Sequence, residues 1–341
     1  MTMIPAPFFP RLLAVTLMAL FAVCAPVNAS GAERRMPVAL SAPATVYDGT
    51  AFLCELSGPE IKAVTFSFLG RSVKAKATPN TQAAATNTFH AKALLPIPLN
   101  HPAQTQSLTW TASFADGSTA MGNTPITIKT KTYPVQKLSL QAKYVTPDPA
   151  LTERIRKESE RMRAAFTTLT DTAHWTLQLE RPVPGRISSP FGVRRVLNKE
   201  PRGFHRGVDF AAPAGAPIKA VANGTVILTG DFYYPGQFVA IDHGQGLVTV
   251  SMHMSEILAE QGQSIKRGDT IGLVGSTGRS TGPHLHLSLF VLGQSVDALP
   301  LLTPGPEPDP VLSTPPAPQT PARKTTAPQK QSGKRKKAAE R

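Results

Sequence analysis

Pro283-His284-Leu285-His286-Leu287-Ser288-Leu289-Phe290 alternates polar and apolar residues. Side chains in a strand repeat every two residues, so Leu285, Leu287 and Leu289 share one face and His284, His286 and Ser288 the other. The same rule applied to His205-Arg206-Gly207-Val208-Asp209-Phe210 puts His205, Gly207 and Asp209 on one face. Val208 and Phe210 fall on the opposite face. Each strand therefore buries an apolar face and offers metal-ligating groups from the other.

His205, Asp209 and His286 make a zinc set. Two imidazoles and one carboxylate fill three tetrahedral positions and leave the fourth for water, which is the catalytic pattern. A structural zinc site would more often use four ligands, several of them cysteines, and the chain has only two cysteines. A lone histidine is more often a satisfied structural residue than a ligand. Here five of the eight histidines lie between 205 and 286, and the candidate ligands fall on matched strand faces. Spacing does not say which of His284 and His286 binds metal. A histidine two residues from a ligand would be well placed to act as general base. His253 closes the alternating run Leu247–His253 with Leu247, Thr249 and Ser251 on its face, and spacing alone reads it as a sheet-surface histidine. His243, in Asp242-His243-Gly244, reads as a turn residue without a role.

The chain has 341 residues, enough for two domains. Residues 1–29 read as an export signal: Arg11 precedes the apolar run Leu12–Val27, and Val27-Asn28-Ala29 suits a small-residue cleavage site. The run is short for a membrane span, so no stable span is expected after cleavage. Phe21-Ala22-Val23 lacks the small residue that lipidation of Cys24 would require. Only Cys54 would then remain, as a small buried hydrophobe with no disulfide partner.

Residues 37–141 carry short alternating runs, among them Val64–Phe68, Leu108–Ala112 and Ile126–Ile128, separated by turn signals such as Asp116-Gly117. This spacing predicts a β-sandwich-like domain with no chemistry-bearing cluster. Residues 142–172 predict a connecting helix, with Asp148 as cap, Pro149 in the first turn and an apolar stripe through Leu151, Ile155, Met162, Phe166 and Leu169. Residues 173–302 return to strands, first through Trp175, Leu177 and Leu179, then Val221–Leu228, Gln237–Asp242 and Leu247–His253. Residues 303–341 are rich in Pro and Lys and read as a disordered basic tail. From Arg323 to Arg341 eight Lys or Arg stand against one Glu, about half of the chain's +14 net charge. Such a tail suits anionic envelope polymers. Lys334-Arg335-Lys336-Lys337 is patterned like a nucleic-acid patch, but an export signal speaks against a nucleic-acid partner. Gly275–Pro283 lacks the Gly-Lys-Ser/Thr ending of a phosphate loop and reads instead as a cleft wall.

The stretch from Arg186 to Asp297 resembles the M23 peptidases, the lysostaphin-like or LytM-domain zinc metalloendopeptidases. The resemblance rests on Ser189-Pro190-Phe191-Gly192, His205 with Asp209, Ala222-Asn223-Gly224-Thr225-Val226, Ile241-Asp242-His243-Gly244, His253, and Gly275-Ser276-Thr277-Gly278 leading to Gly282-Pro283-His284-Leu285-His286. The preceding part, through Tyr133-Pro134-Val135-Gln136, is similar to bacterial two-domain members. The resemblance implies His205, Asp209 and His286 as ligands of one Zn²⁺ and His253 and His284 as the catalytic pair. It implies a mostly β fold with an antiparallel peptidase sheet, and hydrolysis of peptidoglycan stem-peptide cross-links in the periplasm or cell envelope. Lys199 stands where similar members commonly have glycine, and Met254 where they have leucine. Some relatives lose ligands and serve as regulators of other wall hydrolases. A silent regulator and a wall-binding protein are therefore the alternative expectations, and the intact ligand set favours the enzyme.

Overall fold

The computed structural model describes residues 37–80 and 88–304. The expected export signal over residues 1–29 and the expected tail beyond residue 304 lie outside the described residues. What is described is mostly β.

Two sheets share the first core. One has five strands, in the order Thr45–Tyr47, Thr119–Lys129, Gln104–Phe114, Ile61–Phe68 and Arg71–Lys76. The other has four, in the order Ala39–Ser41, Ala51–Pro59, Thr88–Pro96 and Thr78–Pro79. Pairing is antiparallel except between Thr45–Tyr47 and Thr119–Lys129. Along Ala51–Pro59 alternate residues are buried, so Phe52, Cys54 and Leu56 meet Phe66 and Trp110 in one apolar layer. Cys54 is fully buried, and burial pushes its thiol pKa up, which makes it inert.

Strand β1 (Val135–Leu138) leaves this sandwich and runs parallel to β2 (Arg194–Leu197), which pairs with β3 (Glu200–Phe204). Strand β4 (Val208–Phe210) enters the large sheet. There β5 (Gly236–Asp242) and β6 (Leu247–Ile257) precede β7 (Leu285–Val291), and the order is β4, β7, β6, β5. One face of this sheet packs Leu285, Leu287 and Leu289 with Val208 and Phe210. On the other face Val248, Val250 and Phe290 receive the helix α1 (Thr152–Phe166) through Ala165 and Phe166. The rings of Phe166 and Phe290 stack with centroids 3.8 Å apart.

The connecting segment is more broken than the expected helix over 142–172. A single turn at Ala142–Val145 ends before Pro147, and a 3₁₀ turn at Pro149–Leu151 precedes α1. Asp148 does cap it: its Oδ1 accepts from Ala150 N at 2.8 Å. The helix ends at Phe166, so Leu169 is not on its stripe and stands exposed. The expected strand through Trp175, Leu177 and Leu179 does not form. Its backbone donors go to separate loops, with His174 N to His243 O, Leu179 N to Leu301 O and Glu180 N to Val221 O. The apolar alternation there reflects docking of an extended segment: Leu179 is buried, Leu177 exposed, and Trp175 Nε1 donates to Gly244 O.

Candidate active site

Register brings the distant histidines and the carboxylate together. Strands β4 and β7 pair with Asp209 opposite His286, which puts both side chains on one face. His205 is not part of that strand. It lies in the connection after β3, held by His205 N to Val193 O and Gly192 N to His205 O. From there its ring still reaches Asp209, so the shared face predicted for His205 and Asp209 holds although their strand continuity does not.

Three atoms converge. His205 Nε2 lies 3.1 Å from Asp209 Oδ1, His286 Nδ1 lies 2.7 Å from the same oxygen, and the two nitrogens are 3.0 Å apart. His205, Asp209 and His286 are all buried. Protonation follows from the other ring atoms. His205 Nδ1 is 2.9 Å from Pro190 O. A carbonyl only accepts, so Nδ1 carries the proton and Nε2 presents a lone pair. Ser288 Oγ donates to Arg206 O, so its oxygen accepts from His286 Nε2–H at 2.9 Å and His286 Nδ1 presents a lone pair too. Burial pushes His286 down to about 4 against the pull of Asp209, which keeps the imidazole neutral at pH 7. The Asp209 carboxylate is buried and faces both nitrogens through Oδ1. Its second oxygen accepts from Arg195 Nη2 at 2.7 Å.

Two lone pairs and an anionic oxygen at these separations repel one another unless a positive centre stands between them. Nitrogen and carboxylate donors with their outer atoms hydrogen-bonded to the protein are the pattern of a divalent metal site, and zinc suits the set.

His253 and His284 flank this group. Their ring centroids are 4.9 Å apart, and His284 Nε2 is 3.8 Å from Asp209 Oδ1. Each gives its Nδ1–H to a carbonyl at 2.8 Å, His253 to Thr277 and His284 to Gly282. Both therefore present Nε2 as acceptor. Burial is the first cause that pushes His253 down to about 3, and the neighbouring imidazoles of His286 and His284 add to it.

Strict alternation would send His253 to the wrong face. Ser251 pairs with Leu287 and Met252 with His286, so the next alternate residue after Ser251 belongs on the leucine face. A bulge intervenes. Between Val239 and Gln237 of β5, strand β6 steps from Ser251 to Met254, one residue more. His253 takes φ +64°, a strained conformation for a non-glycine residue, and its N donates to Pro235 O at 2.9 Å. The bulge re-aims the ring toward His284 and His286.

Several contributors were not legible in the residue pattern. Arg195 and Ser288 occupy ordinary alternating positions. Gly207 gives no signal either, yet a Cβ there would stand 2.4 Å from His286 Nε2. The loop read as a cleft wall, Gly275–Pro283, supplies the carbonyls that fix both flanking histidines. His243 is fully buried, bonded to Asn223 O at 2.7 Å and Thr249 Oγ1 at 2.8 Å, so it ties the turn to the sheet.

The family model described as Peptidase family M23 matches residues 203–298. The chain is 45% identical over 115 residues to peptidoglycan DD-endopeptidase ShyA of Vibrio cholerae, covering 33% of this chain and 27% of that protein. It is 42% identical over 129 residues to DD-carboxypeptidase/endopeptidase Mpg of Neisseria meningitidis, covering 38% of this chain and 30% of that protein. The matched part thus spans under a third of either relative. A Pseudomonas aeruginosa crystal structure assigned to peptidase M23 aligns with TM-score 0.55 at 28% identity, over 74% of this chain and 92% of the other.

Proposed function

We propose, from the match of the Peptidase family M23 model to residues 203–298, that this chain is an exported zinc endopeptidase that hydrolyses peptide cross-links of peptidoglycan. The observation that carries this reading is the convergence of three acceptor atoms, on His205, Asp209 and His286, whose side chains have their remaining polar atoms bonded to the protein. The substrate class comes from the names of the similar curated proteins.

In this reading His205 Nε2, Asp209 Oδ1 and His286 Nδ1 hold Zn²⁺. When bound, zinc supplies a Lewis acid for the scissile carbonyl and lowers the pKa of water toward about 7. His284 Nε2 takes the proton from the attacking water, because it faces Asp209 and is the more exposed of the pair. The Gly282 carbonyl keeps its Nδ1 protonated and its Nε2 aimed. His284 then hands that proton to the departing amine, and His253 Nε2, the second acceptor, takes the remaining hydroxyl proton as the new carboxylate forms. Arg195 holds the outer oxygen of Asp209, so Oδ1 stays turned inward.

None of the proposed ligand positions is substituted, which favours an enzyme over a silent regulator. No helix among the described residues is long and apolar enough to cross a membrane. Purified protein incubated with cross-linked muropeptides should release uncross-linked products by mass spectrometry. Chelation should abolish release and Zn²⁺ should restore it. Wall binding with no product under any metal condition would leave the non-catalytic alternatives.

A further inference from the structure

The loop whose Thr277 carbonyl holds His253 carries an arginine, Arg279, that the proposed mechanism does not use. Residues 277 to 280 wrap the histidine pair: Thr277 O accepts from His253, and Ser280 Oγ lies 3.3 Å from His284 Nδ1. Arg279 lies between them. Its backbone N donates to Tyr234 O at 2.8 Å, and its guanidinium lies over the Tyr234 ring, 4.7 Å from the centroid. The next residue along, Pro235, accepts from His253 N. Arg279 and Tyr234 thus form a stacked pair fixed to the two segments that grip His253.

The charge of this pair is unanswered. Among the described residues no carboxylate pairs with Arg279 and no acceptor bonds its guanidinium. Its nitrogens are not sealed in the interior either, since none is a buried atom without a partner. A stacked guanidinium presents its planar N–H edge outward, the geometry that receives a carboxylate on two parallel bonds. The neighbouring guanidiniums are engaged, Arg195 by Asp209 and Arg202 by Glu200 and Val145 O. Burial chiefly lowers the Arg279 pKa, Tyr234 raises it, and Arg195 and Arg202 lower it further, so positive charge crowds here. An anion would relieve that crowding.

We propose that Arg279, stacked on Tyr234, is a specificity site that binds a free carboxylate of the peptide substrate on the His253 side of the scissile bond. This rests on the peptidase reading above. In a cross-linked peptide such a carboxylate is either a chain terminus or the α-carboxylate of a diamino-acid residue. Both offer the same chemistry to the guanidinium.

The test uses full-length zinc-loaded protein and three synthetic cross-linked peptides: one with all carboxylates free, one amidated at its C terminus, one amidated at the diamino-acid carboxylate. A charge-assisted bidentate contact is worth about 10- to 100-fold. One amidated peptide should lose that factor in kcat/KM, mainly through KM, and its identity names the carboxylate. Arg279→Gln should lower the free-acid peptide by a similar factor and leave that amidated peptide unchanged. Arg279→Lys should recover only part. Equal cleavage of all three peptides by the wild-type protein, which needs no variant to fold, overturns the assignment. So does an Arg279→Gln loss that is the same on acid and amide. If no peptide is cleaved the hydrolase reading fails, and calorimetric binding of the three peptides to chelated protein then decides. Weaker binding of one amide by about 10-fold or more supports the carboxylate site, and equal binding removes it.

Discussion

Ser288 and Gly207 decide where His286 points, though neither could touch a metal ion. Ser288 takes the Nε2–H of His286 and passes its own hydrogen to Arg206 O. Replacement by alanine leaves that N–H unpaired in a buried setting and frees the tautomer. Outer partners of this kind are worth about 10- to 100-fold in metal affinity. Ser288→Ala should weaken Zn²⁺ binding by that factor, measured by competition with a chromogenic chelator, while the fold is kept. Gly207→Ala should do more damage, because the new methyl would overlap the His286 ring and Leu287 O. Zinc content of the purified variant, by elemental analysis, should fall well below one per chain. A Gly207→Ala protein with full zinc occupancy would show that the ring has room to move. The ligand candidates themselves were readable from strand alternation. These two supports were not, because alternation reports a face, while hydrogen-bond relays and close approach depend on the third dimension.

At the scale of elements, the turn between β2 and β3 carries Asn198 at φ +50° and Lys199 at φ +72°. Two left-handed residues in a two-residue connection are the type I′ pattern, for which Asn-Gly is the favoured pair. This gives a physical reason for the glycine that the family resemblance leads one to expect at the Lys199 position. Lys199→Gly should stabilise the protein by about 0.5–1 kcal/mol, the strain relieved exceeding the added freedom of the unfolded chain. A denaturant midpoint that does not rise would contradict this. The strands of the sandwich and of the large sheet were legible because their alternation is set by burial on one face, as in Ala51–Pro59. Where alternation had another cause, it misled. Leu177 and Leu179 alternate without a strand, and His253 reaches the site only through a bulge that one sequence cannot reveal. The family resemblance, which rests on side-chain identities, was not affected by either error.

At the scale of the molecule, buried neutral histidines set the acid limit of stability. The ring of His243 bonds to Asn223 O and Thr249 Oγ1, neither of them on a proposed metal ligand, and burial lowers its pKa to about 4. In the unfolded chain a histidine titrates near about 6.5. Between these values the unfolded state binds a proton that the native state refuses, so stability rises with pH. The contribution is complete above about 6.5 and is lost as pH falls toward about 4, on the order of 3 kcal/mol in all. Chelated protein should therefore melt progressively lower from pH 6.5 to 4, and His243→Gln should flatten that slope whatever its effect at neutral pH. An unchanged slope would mean that His243 is not held neutral. The two halves of the described chain are also tied together: Arg71 Nε donates to Leu292 O, and Asp297 N to Gly49 O. The sandwich thus bears on the sheet that carries His286.

The account stands on one divalent ion shared by two imidazoles and one carboxylate. Zinc-edge X-ray absorption on the reconstituted full chain tests this most directly. It should show a first shell of nitrogen and oxygen at about 2.0–2.2 Å with the multiple-scattering signature of two imidazoles, lost on His286→Ala. A shell with no imidazole scattering, or one unchanged in His286→Ala, would contradict it.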